Sequence, residues 1–427
     1  MNAEIISVGT ELLLGHTVNT DASLVARELA PAGIGLLYTC TVGDNPGRLR
    51  AALQTALERS DIVITTGGLG PTGDDLTKET VAAVAGKKLV MDRASMERIE
   101  RYFQGRSLGE TQKKQALLPE GCTVFPNDVG TAPGCGFRTA SGKLVAMLPG
   151  PPSELVPMLR NYAVPFLAAG GHAAIVSHMV HVFGLGEGHV AEQIADLCAG
   201  ANPTCATYAK ECEMFVRVTA RAQTPEQAEA LCGPAVAELR KRLGAFVYGV
   251  DVASLEEAVV RLLTERRLTV ATAESCTGGL VAKRITDIPG SSEVFHLGAV
   301  TYSNKAKQKL LGVPEATLRQ YGAVSPQTAR AMAKGVRALA GADFGLGVTG
   351  IAGPGGGTPQ KPVGLVYLAL SDGENVWVRE MHGNTRRKGR GYQREMAASN
   401  ALDMVRRRIL NLGGIEDAAY SREKRGG

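Results

Sequence analysis

The stretch TAESCTGGLVAKRI, residues 272–285, places a serine where the apolar run LTVAT gives way to paired glycines and then to a helical pattern. Strand, turn and helix in that order make an α/β unit, and in a parallel sheet the turn lies at the C-terminal edge of the strand, where such sheets take their ligands. Ser275 therefore reads either as a helix cap or as a nucleophile. No GxSxG signature surrounds it and no histidine lies within twenty residues of it. The serine, histidine and aspartate arrangement does not apply, and another group must act as base.

Working outward, GAVTYSNKAKQKLLG (298–312) predicts a strand ending at Tyr302 and a helix from about Asn304, with Lys307 on its first turn. Adjacent parallel strands would bring Ser275 and Lys307 to one edge. A lysine can accept a serine proton if burial or a neighbouring cation lowers its pKa. The segment FGLGVTGIAGPGGGTPQKPVG (344–364) contains a formal GxGxxG from Gly345 to Gly350. It reads as a strand followed by a loop, because prolines stand where a dinucleotide fingerprint needs a helix. The glycines of that loop, Gly350, Gly353 and Gly355, leave N–H groups free for a phosphate, and Thr349 adds a hydroxyl. Thr277, Gly278 and Gly279 form the turn after Ser275, and N–H groups at the start of the following helix are the expected oxyanion donors.

A second loop of this kind lies near the start. In DIVITTGGLGPTGDDLTKET (61–80) a buried strand runs into Gly67, Gly68 and Gly70, then a tandem aspartate and a helix, the pattern of an anion cradle. Asp74 reads as the N-cap of that helix and Asp75 as the carboxylate available for chemistry. VGTELLLGHTVNTDA (8–22), with Thr10, Glu11 and Asn19, and TVGDN (41–45), with Asp44, should reach the same edge. LPGPPSE (148–154) would close it with a rigid turn.

The chain has 427 residues, 44% hydrophobic and 21% charged, with a formal charge of +5. That is a globular composition sufficient for several domains. The eight cysteines include no CxxC pair, and MNAE passes directly into the strand-like IISVG, so a cytoplasmic protein with reduced thiols is expected. No apolar run approaches the ~20 residues of a membrane span. The basic runs TRRKGRGYQRE, RRR and SREKRGG read as a solvated face and a loose tail, not as a nucleic-acid footprint. The fold class is α/β. Residues 1–167 form a doubly wound sheet, AAGGHAA a linker, 175–250 a small α+β module, 254–413 a third unit and 414–427 a flexible tail.

With these residues in place, the unit 254–413 resembles the nicotinamide mononucleotide amidohydrolase domain, through AESCTGG, TYSNKAK and GVTGIAGPGGG. The resemblance implies hydrolysis of the carboxamide of nicotinamide mononucleotide to nicotinic acid mononucleotide and ammonia, without a cofactor. It makes Ser275 the nucleophile, Lys307 its base, Tyr302 a partner that orients or shares the proton, and Thr349 part of the substrate pocket. A late arginine is also implied. Because HGNTRRKGRGYQRE (382–395) departs from the family's GxR spacing, Arg390 is chosen over Arg387 and Arg394.

The first unit resembles the molybdopterin-binding fold and, more closely, the N-terminal domain of the CinA family. That resemblance implies hydrolysis of ADP-ribose to AMP and ribose 5-phosphate with a divalent metal (magnesium, manganese or cobalt), for which Glu11, Asp44 and Asp75 are the candidate ligands. It also implies a homodimer and a KH-type middle module, although FGLGEGHV (183–190) lacks the GxxG clamp of an RNA-binding KH domain. The leading reading is a bifunctional hydrolase. One alternative is an amidohydrolase whose first domain binds a nucleotide or pterin without turnover. Another is a competence or repair accessory protein that binds DNA through its basic C-terminal region.

Overall fold

The computed structural model describes residues 1–104, 108–169, 174–383 and 389–418. They fall into two compact units, Met1–Ser177 with Ala220–Leu231, and His178–Thr219 with the chain from Cys232 onward.

The first unit is built on a six-stranded sheet ordered Gly35–Val42, Asn2–Val8, Ile62–Thr66, Leu144–Leu148, Gly134–Arg138, Thr123–Phe125. The first four strands are parallel and the last two antiparallel. Every residue of Ile62–Thr66 and Leu144–Leu148 is buried, as expected of central parallel strands covered on both faces. Alternate side chains feed two separate cores: Ile5, Ile62 and Ile64 pack with Leu29 and Leu155, while Ile6, Val63 and Val145 pack with Leu49 and Leu53. Helix Asp21–Leu29 belongs to the first core and helix Pro46–Arg59 to the second. The second helix starts where Asn45 caps it by accepting from Arg48 N–H at 3.0 Å.

In the second unit a five-stranded sheet runs Phe295–Val300, Val270–Glu274, Phe344–Gly350, Leu365–Ser371, Val376–His382. The first three strands are parallel and the last two antiparallel. Serines cap three of its helices: Ser254 that of Leu255–Arg266, Ser303 that of Asn304–Leu311 and Ser325 that of Pro326–Ala340. Gly345 and Gly347 serve packing, since a Cβ at either would fall 2.2 Å from Ala333 O or 2.5 Å from Ala329 O of the last of these helices. The GxGxxG match is thus a strand against a close helix. A smaller sheet, ordered Thr204–Lys210, Glu213–Ala222, Ala174–Val182, Val247–Val250, carries the middle segment. Its Phe183, Cys212 and Tyr248 are buried in the same cluster as Leu255, Val281 and Met396 of the following domain.

Two expectations about the basic C-terminal region change. Arg406 and Arg407 of helix Arg390–Ile409 are buried and, with Arg379, converge on the Asp403 carboxylate at 2.7, 2.9 and 3.1 Å. They are internal, because one carboxylate and several backbone carbonyls together replace their water. The tail expected from residue 414 begins as packed chain: Arg379 donates to Gly414 O at 3.2 Å and Ile415 O at 3.0 Å, and Glu416 accepts from Val378 N–H at 3.2 Å. Residues 419–427, which hold SREKRGG, and residues 170–173 of the AAGGHAA linker lie outside the described residues. Among the described residues no helix is long and apolar enough to cross a membrane.

Candidate active site

Two sites form at strand ends, one in each unit. In the second, Val270–Glu274 delivers Ser275 and the neighbouring parallel strand Phe295–Val300 delivers Thr301, whose N–H donates to Glu274 O at 2.8 Å. Lys307, on the first turn of helix Asn304–Leu311, reaches back so that its Nζ stands 3.1 Å from Ser275 Oγ and donates to Thr301 O at 2.7 Å. The Lys307 side chain is completely buried, and among the described residues no carboxylate pairs with it. Burial holds its pKa below the usual lysine range. The neighbouring Cys276 thiol is pushed up to about 12 by burial, which leaves it protonated and unreactive at neutral pH.

The turn after the serine is built differently from the expected helix start. Gly278 and Gly279 have φ of 61° and 92°, so the chain turns through the left-handed region before the helix begins at Leu280. The N–H groups of Gly279, Val281 and Ala282 all donate to the Glu274 carboxylate, at 2.9, 3.1 and 2.8 Å. The helix N-terminus is therefore committed to this buried glutamate and is not the oxyanion site. Gly278 N–H is also taken, by Ser275 O at 3.1 Å. The N–H groups of Cys276 and Thr277 lie against the Cys276 thiol, a weak acceptor, and Thr277 Oγ1 is buried without a partner. These donors flank the nucleophile, and an oxyanion formed there would be a stronger acceptor than the thiol.

Arg394 and Arg390 divide the role assigned to one arginine. Arg394 grips Thr277 O with two N–H groups, at 3.1 and 2.6 Å, which fixes the turn. Arg390 donates to Gly353 O of the glycine loop at 2.8 Å and lies 3.4 Å from the Tyr302 hydroxyl. Arg387 lies outside the described residues. Among the described residues no hydrogen bond joins Tyr302 to the dyad: the strand stops at Val300, Thr301 turns inward, and the Tyr302 side chain is 65% exposed beside Arg390. Thr349 is buried, and its hydroxyl donates to Ala323 O at 2.7 Å, bracing a neighbouring loop. Gly350 is a packing residue, since a Cβ there would fall 2.7 Å from Leu365 O, while Gly355 has open space around it.

The other site is a cavity of about 540 Å³ at the C-terminal ends of the first sheet. It is lined by Gly67, Gly68 and Gly70, by Glu11, Asn19, Asp44, Asp74 and Asp75, and by the 149–152 turn with Glu154. Gly67, at φ 91°, passes so close to the first strand that a Cβ would fall 2.3 Å from Val8 O. The two aspartates sit differently from the expectation. Asp75 accepts from Gly70 N–H and Thr72 N–H, both at 2.8 Å, and from the Thr72 hydroxyl, so it braces its own loop. Asp74 is exposed and caps no helix, because the helix starts later, at Thr77. Asp44 is held by Thr10, accepting from its N–H at 2.8 Å while Asp44 N–H donates to Thr10 Oγ1 at 3.1 Å.

Sequence reasoning missed three groups that line this cavity. Asp21 is buried there, its pKa raised by burial against a hydrogen bond from Thr66. Glu154 accepts from Asn127 at 2.6 Å. Gln115 is held by Lys78, which donates to its backbone carbonyl at 2.7 Å, and its Oε1 has no partner. Asn19 donates to Ser7 Oγ at 2.9 Å, and its Oδ1 is likewise buried without a partner. Among the described residues no three histidine, cysteine or carboxylate side chains gather as a metal centre. The oxygen donors that line the cavity are of the kind a hard divalent cation takes.

Three family models match in order: "Probable molybdopterin binding domain" over residues 4–169, "Damage-inducible protein CinA KH domain" over 177–249 and "CinA C-terminal domain" over 252–409. The chain is 59% identical over 412 residues to a CinA-like protein of Desulfovibrio desulfuricans, covering 96% of this chain and 97% of that one. It is 49% identical over 416 residues to a CinA-like protein of Kosmotoga olearia, covering 96% and 100%. Among solved structures it is similar to the CinA protein of Thermoplasma acidophilum (36% identity, 39% of this chain and 97% of that chain, TM-score 0.37). It is also similar to a competence/damage inducible protein of Agrobacterium tumefaciens (48% identity, 35% and 91%, TM-score 0.34).

Proposed function

The chain belongs to the CinA family, and from that premise and the site geometry we propose that its C-terminal domain deamidates nicotinamide mononucleotide and its N-terminal domain hydrolyses ADP-ribose. The observation that carries the first activity is the buried Lys307 amine, without a carboxylate partner among the described residues, 3.1 Å from Ser275 Oγ. A neutral amine has one lone pair and two N–H groups. With an N–H on Thr301 O, the lone pair is left for the serine proton.

Ser275 Oγ attacks the carboxamide carbon as its proton passes to Lys307 Nζ, and the oxyanion that forms faces the N–H groups of Cys276 and Thr277. Lys307 returns the proton to the leaving nitrogen, which departs as ammonia and leaves an acyl ester on Ser275. Water then attacks the ester, again with Lys307 as base, and releases the carboxylic acid. Arg390 and the glycine loop supply charge and N–H groups for the substrate phosphate. Incubation with nicotinamide mononucleotide tests this: the wild type should release ammonia and nicotinic acid mononucleotide, and Ser275→Ala should release neither. Turnover by Ser275→Ala near the wild-type rate would remove the nucleophile assignment.

For the N-terminal domain the support is the glycine-rich cavity with carboxylates at its rim. A divalent cation carried in on the diphosphate would neutralise its charge, with the exposed Asp74, hydrogen-bonded to Thr72, and Glu11 as the carboxylates at the rim. Asp21, buried and with a raised pKa, is placed to hold or accept a proton. The bracing role of Asp75 favours a second reading, a domain that binds the nucleotide without cleaving it. ADP-ribose incubated with magnesium, manganese or cobalt separates the two: formation of AMP supports hydrolysis, and tight binding without AMP supports the second reading.

A further inference from the structure

The C-terminal site is reached from the middle segment by the hairpin between Thr204–Lys210 and Glu213–Ala222, in which Lys210 pairs with Glu213 and leaves a two-residue turn, Glu211 and Cys212. Such turns favour glycine at positions of positive φ. Here Cys212 holds φ 65°, and instead of facing solvent it is buried in the cluster that contains Val281, Ile285 and Met396. Turn chemistry alone does not account for that choice; packing against the next domain does.

Two lines of contact run from this turn to the nucleophile. The Glu213 carboxylate is buried, accepts from the Tyr248 hydroxyl at 2.8 Å and stands 3.5 Å from Arg284 Nη2. Arg284 sits on the helix Leu280–Thr286 that follows the Ser275 turn. It is also tied to Glu256 at 2.7 Å and, on the last helix, to Ser399 Oγ at 2.8 Å. On the other side Tyr392, between Arg390 and Arg394, packs against the same cluster as Cys212. Burial, with Cys212 and Glu211 nearby, holds its phenol above the ordinary range. Two residues along, Arg394 grips the Thr277 carbonyl.

We propose that the Glu211–Cys212–Glu213 turn is a positioning element of the amidohydrolase site, holding Arg394 and the helix Leu280–Thr286 so that the Cys276 and Thr277 N–H groups stay aimed at the oxyanion. The middle segment then acts on the neighbouring domain's chemistry, a role for which it needs no nucleic-acid clamp. This inference rests on the amidohydrolase reading above.

Glu213→Gln is the test, because it keeps the acceptor for Tyr248 and the side-chain size while removing the charge beside Arg284. Displacements well under an ångström already slow a positioned reaction, so kcat for nicotinamide mononucleotide should fall roughly tenfold, with KM changed by less than about twofold. The acid limb of the pH–rate profile should shift as Lys307 and Ser275 separate. Combined with Arg394→Lys, the loss should be less than the product of the two single losses, since both act through one turn. The labelling rate of Ser275 by an arylsulfonyl fluoride, which needs no substrate, should also fall roughly tenfold. If the wild type releases no ammonia, the amidohydrolase reading fails and labelling alone decides the inference. Unchanged labelling, an unchanged kcat and acid limb, multiplicative losses, or a loss of activity that only tracks the fraction unfolded would each overturn it.

Discussion

Replacing Lys307 with methionine separates its chemical role from its structural one. The amine is completely buried, touches Ser275 Oγ and Thr301 O, and is held below its ordinary pKa by burial. In the unfolded chain it titrates near ~10.4. Between its folded pKa and that value the unfolded chain binds more protons, so stability rises with pH across the window. The cost of burying the amine is fully present below the folded pKa and gone above ~10.4. Methionine fills similar space without a charge. Lys307→Met should therefore be at least as stable as the wild type at neutral pH, with the advantage shrinking as pH approaches ~10.4. Its kcat should fall ~10²- to 10⁴-fold, the usual worth of a general base, or about 3–5 kcal/mol. Ammonia release at saturating nicotinamide mononucleotide, followed across neutral to alkaline pH and alongside urea denaturation, reads both quantities. Retention of more than about a tenth of the wild-type rate would refute the base assignment. A stability loss above about 2 kcal/mol would show that the lysine is held there for structure.

Three further outcomes follow from the geometry. Glu274→Gln leaves one oxygen for three helix N–H groups and should lower stability by about 1–3 kcal/mol in urea denaturation; no change would mean water caps that helix equally well. Asp75→Asn should lower both nucleotide affinity and Tm because the loop loses its brace, whereas Asp74→Asn should reduce metal-dependent ADP-ribose cleavage at constant Tm; the reverse pattern would restore Asp75 as the metal-binding carboxylate. Chelator treatment should abolish AMP formation from ADP-ribose while leaving ammonia release unchanged, and cleavage by metal-free protein would remove the cation from the N-terminal reaction.

The sequence carried the parts of this molecule that depend on order along the chain. Strands that end in Ser275, near Lys307 and at the glycine loop could be placed at one sheet edge from their apolar runs and breakers alone, and the two residues do meet there. What it hid were contacts made across the fold or by the backbone. Glu274 stands in the opening stretch, yet a carboxylate that caps N–H groups five to eight residues ahead follows no capping spacing. Thr301 acts through its carbonyl, which any residue would carry. The cap assignment of Asp74 failed because it depended on a helix that begins only at Thr77. The same blindness covers Arg406 and Arg407, which read as a solvated run until the helix that holds them is found to be buried.

The Asp403 cluster bears on where this domain can be cut. The similarity to the CinA C-terminal domain ends at residue 409, and that boundary invites a truncation. Yet Arg407 donates to Gly413 O at 2.6 Å, and Arg379, wholly buried, depends on Gly414 O and Ile415 O as well as on Asp403. A chain ending at 409 would keep all the guanidinium groups and lose these acceptors, leaving cationic N–H groups facing each other in a dry interior. A domain isolated for crystallography or labelling should therefore extend through Ala418, and an affinity tag belongs beyond it.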